Sequence, residues 1–155
     1  MAFPRNLSGL TTREAIADAV YRAIAAWDEN DASLLESAMV PDCVFEVMGQ
    51  QIVGLDEIKQ KNFNHVAAMD TTHFITNMRI DVKDDAATTA SLTANALAQH
   101  YPTGTGATEQ DRRLLIGSKY CVQLVKDEND GLWKAKHFEL KVVWREGDRS
   151  VLVPS

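Results

Sequence analysis

The chain has 155 residues, of which 45% are hydrophobic and 25% charged, and these are ordinary values for one globular domain. A formal net charge of -6 argues against a protein that binds nucleic acid or an anionic membrane surface, since both partners are recognised by basic patches. No apolar run is long enough for a secretory signal or a membrane span, so the sequence predicts a soluble, cytoplasmic protein.

The first predicted element is an amphipathic helix. Thr11 and Glu14 have the spacing of a capping box, and apolar pairs then recur every four residues as far as Trp27. Asp28 follows Ile24 by four residues, so it extends the buried stripe of this helix rather than its solvent face. We therefore expect the carboxylate of Asp28 to point toward the interior of the domain.

A second short helix, a hairpin and a third helix come next. The second helix is predicted over Asp31–Met39 and is stopped by Pro41. Two short strands, Cys43–Met48 and Gln51–Val53, form the hairpin. The third helix is predicted over Asp56–Met69.

The rest of the chain is predicted to be four long strands joined as a meander. They cover His73–Val82, Thr88–Tyr101, Leu115–Lys126 and Trp133–Arg145, with turn-forming residues between them. Helices that precede an antiparallel sheet indicate the α+β class, with the helices covering one face of the sheet.

One strand has the pattern of a pocket wall. From Leu92 its even positions are Leu92, Ala94, Ala96, Ala98 and His100. Alternate residues line one face of a sheet, so this face is apolar and ends in a titratable group. Because alanine leaves volume that a packed core would fill, the row predicts the wall of an internal pocket.

Asp28, His73 and His100 are the candidate catalytic residues. Two imidazoles and a carboxylate from separate elements are typical of sites that transfer protons to and from an organic substrate. A histidine can act as the acid or the base there because its unperturbed pKa is ~6.5. Each residue also has a plain structural interpretation: Asp28 could begin a turn, His73 could sit at a strand start, and a carbonyl could satisfy His100. An iron-binding facial triad is a further alternative, but the three elements lack ligand-like spacing and we predict no metal.

Several local motifs resemble the nuclear transport factor 2-like superfamily, in particular its SnoaL-like branch and scytalone dehydratase. They are Ala26–Asp28 with Pro41–Cys43, Thr72–Ile75, Ala98–Tyr101 and Asp130–Lys134. The similarity spans nearly the whole chain. It implies a single domain over residues 1–155 with a cone-shaped α+β fold, in which a curved mixed or antiparallel sheet wraps three N-terminal helices around an internal pocket.

The resemblance also implies roles for the site residues. Asp28 would orient His100 as the general acid and base, and His73 would lie against the substrate's oxygen. The substrate-binding wall would consist of Trp27, Val47, Ala96, Ala98, Tyr120 and Val122. Trp27 and Val47 stand where the dehydratase has tyrosines, which argues against scytalone itself as the substrate, although Tyr120 could supply a replacement hydroxyl.

The function that follows is a cofactor-independent lyase or isomerase acting on a hydrophobic polyketide-, terpenoid- or steroid-like molecule. This fold also hosts proteins without catalysis, so the same sequence is compatible with a pocket that only binds a small molecule. A third possibility is an assembly module that uses the exposed sheet face. We expect no cofactor, and we expect a homodimer or homotrimer.

Overall fold

In the computed structural model, residues 3–108 and 112–153 are described, and they form helices and a six-stranded mixed sheet. Helices α1 (Thr12–Glu29) and α2 (Ala32–Ala38) come first. Strands β1 (Met39–Val47) and β2 (Gln50–Val53) form a hairpin. The predicted domain also includes residues 1–2, 109–111 and 154–155, which lie outside the described residues.

A helical segment follows the hairpin and leads into the long strands. It consists of α3 (Leu55–Ile58), a π-helical turn (Lys59–Phe63) and α4 (Asn64–Val66). The long strands are β3 (Asp70–Asp81), β4 (Thr89–Tyr101), β5 (Leu114–Lys126) and β6 (Trp133–Gly147), and a 3-10 turn (Arg149–Leu152) ends the described chain.

The strands are ordered β2-β1-β6-β5-β4-β3, so β2 and β3 are the edges. The β1–β6 pair is parallel, while the other neighbouring strands pair antiparallel. The sheet is curved and does not close on itself, and the helices cover its inner face. The predicted α+β cone with a four-strand meander is thereby confirmed.

The start of α1 forms as the capping box predicts. The Thr11 hydroxyl accepts from the backbone N–H of Glu14, whose carboxylate accepts from the Thr11 N–H at 2.7 Å. Farther along, Arg22 is buried and joins three elements, because it pairs with Asp18 at 2.7 Å and donates to the carbonyls of Ser37 in α2 and Trp133 in β6. These bonds fix α1 across the sheet.

The second helix and the first strand differ from prediction. Helix α2 ends at Ala38, and β1 begins at Met39 and runs through Pro41. Pro41 is tolerated inside the strand because the β1–β6 register shifts between Met39 and Val44, where no regular ladder needs a donor from residue 41.

The third helical segment and the next strand also have different bounds. The helical segment ends at Val66 rather than Met69, and β3 begins at Asp70 rather than His73. The earlier start places Thr71 in the sheet, opposite His100 of β4. This arrangement positions the candidate site, since Thr71 and His73 then occupy alternate positions of one edge strand.

The alternation predicted for β4 is confirmed, because its even positions from Leu92 to His100 are all buried. Ala94 and Ala96 lie in the main hydrophobic core together with side chains of α1, whereas Ala98 and His100 lie outside that cluster. The row of alanines therefore covers two environments. Among the described residues, no helix is both long and apolar enough to span a membrane.

Candidate acid–base site

A cavity of about 130 Å³ lies between the helices and the inner face of the sheet. Its wall is mainly apolar and includes Trp27, Phe45, Val47, Ala98, Ile116 and Leu140. Polar groups reach it from several elements: Asn62, His73, His100, Ser118, Tyr120 and Arg145. An apolar cavity with a few convergent polar groups is typical of a small-molecule site.

Asp28 lies in the last turn of α1, and β3 surrounds its carboxylate with donors. Oδ1 accepts from the Thr71 hydroxyl and from Nδ1 of His73, both at 2.7 Å, and Oδ2 accepts from the His73 backbone N–H at 3.0 Å. Burial raises the pKa of Asp28, but the hydrogen bonds and the charge of His73 outweigh it, so the pKa lies below its usual range. Asp28 is therefore ionised and fixed in orientation.

The carboxylate of Asp28 also fixes the tautomer of His73. Because an ionised carboxylate can only accept, Nδ1 carries a proton, and in the tautomer that this fixes Nε2 is the nitrogen that can accept one. The hydrogen bond of the His73 ring is made by Nδ1, and Nε2 has no hydrogen-bond partner among the described residues. Since every fully buried side-chain nitrogen or oxygen in those residues does have a partner, Nε2 is not fully buried. Nε2 is thus accessible, and the ring lines the cavity while 8% of its side-chain surface is exposed.

His100 lies beside His73 in a more buried position. The two rings meet edge to face, with centroids 5.5 Å apart. Nδ1 of His100 donates to the Leu114 carbonyl at 3.3 Å, which leaves Nε2 as an acceptor. Burial, followed by the charge of His73, lowers the pKa of His100 to about 4. The ring is neutral at physiological pH.

Two more polar side chains of the cavity, Tyr120 and Asn62, contact aromatic residues. Tyr120 packs edge-on against Phe138 at 5.0 Å between ring centroids, and burial raises the pKa of its phenol, so the hydroxyl remains a donor. Asn62 accepts from the indole N–H of Trp27 at 3.1 Å, which leaves its amide N–H groups available. Both can orient a polar ligand in an otherwise apolar cavity.

The pairing of the acid with a histidine differs from the expectation. Asp28 bonds to His73, and His100 bonds to the Leu114 carbonyl instead. The reason is topological: α1 packs over the edge strand β3, so its last turn meets His73 before it can reach His100, one strand farther in.

The expected substrate wall divides into two groups. Trp27, Val47, Ala98 and Tyr120 line the cavity. Ala96 and Val122 lie in the main hydrophobic core and are not part of the cavity lining. Of the alanine row, Ala98 is the member that lines the cavity.

Several lining residues are absent from the predicted site. Ser118 shares the inward phase of Tyr120, so strand alternation was a signal that could have found it. Arg145 and Leu152 had no comparable signal. Leu152 reaches the cavity because the 3-10 turn folds back, with its carbonyl 3.2 Å from Nε2 of His65 and with Val151 buried.

The described residues contain no group of three or more His, Cys, Asp or Glu side chains arranged to hold a metal ion. Asp28 and His73 bond to each other instead of facing a common point. Cys43 and Cys121 are free thiols, and burial together with the charge of Asp42 raises the pKa of Cys43 to about 12.

Known proteins with similar structures share this architecture. A scytalone dehydratase-like protein of Novosphingobium aromaticivorans superposes with a TM-score of 0.73 at 23% identity, over 88% of this chain and 87% of that one. A hexachlorocyclohexane dehydrochlorinase of Novosphingobium barchaimii superposes with a TM-score of 0.69 at 19% identity, over 93% and 95% of the two chains. At these identities the likeness shows the fold.

Sequence comparison gives a nearer relative. The terrestric acid biosynthesis cluster protein E of Penicillium crustosum is 42% identical over 151 residues, which are 97% of this chain and 96% of that protein. The family model of the SnoaL-like domain matches residues 8–139. The chain therefore belongs to the SnoaL-like domain family, within the nuclear transport factor 2-like fold that scytalone dehydratase-like proteins share.

Proposed function

We propose that this protein is a lyase or isomerase in which His73, oriented by Asp28, moves a proton on a hydrophobic small molecule. The observation that supports this is the 2.7 Å hydrogen bond between Asp28 and Nδ1 of His73, behind an accessible Nε2 at the wall of an apolar cavity. A carboxylate on the far nitrogen stabilises the imidazolium that forms when Nε2 takes up a proton.

The proposed step begins at a carbon next to a carbonyl group. Nε2 of His73 takes the proton, and the electrons of the C–H bond form an enolate. In a dehydration, the enolate re-forms the carbonyl and expels the β-hydroxyl group, which leaves as water with the proton from His73. In an isomerisation, the same proton returns to a different carbon. Either sequence restores neutral His73 without a net gain or loss of protons.

We assign the other cavity groups to the substrate's oxygens. The Tyr120 and Ser118 hydroxyls can donate to the developing enolate, as preorganised donors do in other active sites. His100 presents an acceptor nitrogen, which suits a substrate hydroxyl better than an oxyanion. This exchanges the roles that the sequence resemblance implied for the two histidines, since His73 has the carboxylate partner.

The names of similar proteins agree with this reaction type. The relative from Penicillium crustosum is named for a biosynthetic cluster, and two structural neighbours are named for eliminations of water or hydrogen chloride. On this basis we propose a biosynthetic intermediate of polyketide, terpenoid or steroid type as the substrate class. The mainly apolar wall supports a substrate of that character.

The test is a turnover assay on a panel of β-hydroxy ketones with aryl and alkyl substituents, followed by the absorbance of the enone product. We expect the wild-type protein to accelerate dehydration of at least one member. The His73→Gln variant should lose about 10²–10⁴-fold of this acceleration, because general-base catalysis is typically worth that much.

His137→Gln is the matched control. His137 also pairs with a carboxylate, Glu46 at 3.2 Å, but it is not part of the cavity wall. This variant should keep wild-type turnover. Wild-type turnover in His73→Gln would overturn the proposal, and binding of the ketones without any product would favour a binding protein.

A further inference from the structure

One row of paired residues across the sheet runs from His73 of the acid–base pair to the side chain of Arg145 at the far side of the cavity. His73 of β3 pairs with Ala98 of β4, Ala98 with Ile116 of β5, and Ile116 with Arg145 of β6. All four residues line the cavity. Three strand spacings separate the Cα atoms of His73 and Arg145 by roughly 14 Å, and the two residues between them in the row, Ala98 and Ile116, are apolar.

A β-bulge brings Arg145 into this row. Ser118 pairs with Val142 and the adjacent Gly117 pairs with Trp144, so residue 143 is an extra residue in β6. Simple alternation after Val142 would turn Trp144 inward, but Trp144 is 46% exposed and Arg145 lines the cavity instead. Bulges commonly re-aim a side chain beside a functional site.

The guanidinium of Arg145 has no carboxylate partner in the described part of the chain. None of the ion pairs among the described residues includes Arg145, and its hydrogen bond, at an exposed position, is to the Met48 sulfur, a weak acceptor. Arg22, a buried arginine, already pairs with Asp18 and donates to two carbonyls. An arginine with free donors beside an apolar cavity suits a ligand that brings its own anion.

We propose that the cavity binds a carboxylic acid, with the carboxylate on Arg145 and the reacting carbon at His73. The ligand would lie along the row over Ala98 and Ile116, with its apolar part against the cavity wall. This deepens the function proposed above by naming the substrate class. It rests on that proposal for the place of the reacting carbon, but not for the carboxylate site.

The test uses a matched pair of probes, trans-cinnamate and its neutral amide, titrated by nuclear magnetic resonance. We expect the wild-type protein to bind the acid at least about tenfold tighter than the amide, because hydrogen bonds between two charged groups are stronger than those to a neutral amide. The Arg145→Gln variant should bind both probes equally, and Arg145→Lys should recover part of the preference. Arg113→Gln removes the same charge from an exposed site outside the cavity and should behave as wild type.

The same titration on His73→Gln separates this inference from the proposed reaction. The preference for the acid should survive in that variant, because the carboxylate site does not depend on the base. Failure to bind the acid, equal binding of the two probes by the wild type, or a preference that survives in Arg145→Gln would each overturn the inference. If His73→Gln loses turnover but the wild-type protein shows no preference for the acid, the carboxylate site is overturned and the proposed reaction is not.

Discussion

Asp28 occupies a position that the helix itself disfavours. It lies one residue before the end of α1, where the helix dipole repels a negative charge. Three hydrogen bonds from Thr71 and His73 offset that repulsion and hold the carboxylate in one orientation. Asp28 does not line the cavity, so we regard it as a positioning residue for His73.

His100 makes stability depend on pH in a defined window. Its pKa is about 4 in the folded protein and ~6.5 in an unfolded chain, so between these values only the unfolded chain takes up a proton. The free energy of unfolding should therefore fall as the pH drops from ~6.5 to about 4, by on the order of 3 kcal/mol. Asp28 adds a loss of the same sign at lower pH, because its folded pKa lies below the ordinary value of 3.8.

Urea unfolding at a series of pH values measures this dependence, and His100→Gln should flatten it between pH ~6.5 and about 4. The ring proton signal of His100 should titrate with a midpoint near 4. A midpoint close to the ordinary histidine value, or an unchanged slope in His100→Gln, would contradict the account.

At the scale of elements, β6 is shaped by its contact with β5. A Cβ added to Gly117 would overlap the indole ring of Trp144, so the glycine is what leaves room for the ring against β5. This packing sits beside the bulge that turns Arg145 inward. The packing of Trp144 on the outer face and the position of Arg145 on the cavity wall therefore depend on the same short stretch of β6.

Gly117→Ala should lower the free energy of unfolding by about 1–3 kcal/mol, as overpacking does elsewhere. The change can be measured by urea unfolding, and tryptophan fluorescence should report movement of Trp144. In a Trp144→Ala background the same substitution should have little effect, because the overlapping ring is gone. Equal losses in the two backgrounds would mean that the contact is not the cause.

At the scale of the whole molecule, the outer sheet face has an apolar strip. Phe74 pairs with Leu97, Leu97 with Gly117, and Gly117 with Trp144, and the three large side chains are 56%, 36% and 46% exposed. Contiguous exposed apolar groups are typical of protein–protein contacts. The expected homodimer or homotrimer thus has a candidate surface, and it stays a prediction.

Sedimentation velocity measures the oligomeric state directly. The wild-type protein should sediment as a dimer or trimer, and Leu97→Glu should shift it to the monomer because it places a charge in the apolar strip. Ser91→Glu, an exposed position on the same strand away from the strip, should leave the oligomer unchanged. A monomeric wild-type protein would show that the strip has another role.

The fold class and several local features could be predicted from the amino-acid sequence alone. The capping box at Thr11 and the alternation from Leu92 to His100 depend on neighbours along the chain, so they could be read without a structure. The same holds for Asp28 on the inner stripe of α1. Trp27, Val47, Ala98 and Tyr120 were found on the cavity side in the same way or through the family resemblance.

The hydrogen-bond partners of the site residues could be known only from the three-dimensional packing. Packing of α1 over the edge strand, rather than any sequence spacing, paired Asp28 with His73 and left His100 to a carbonyl. The bulge opposite Gly117 placed Arg145 on the cavity wall, since an extra residue reverses strand phase without a marker in the sequence. Local patterns fix which face a side chain occupies, but contacts between distant segments depend on register and packing, which the whole chain sets together.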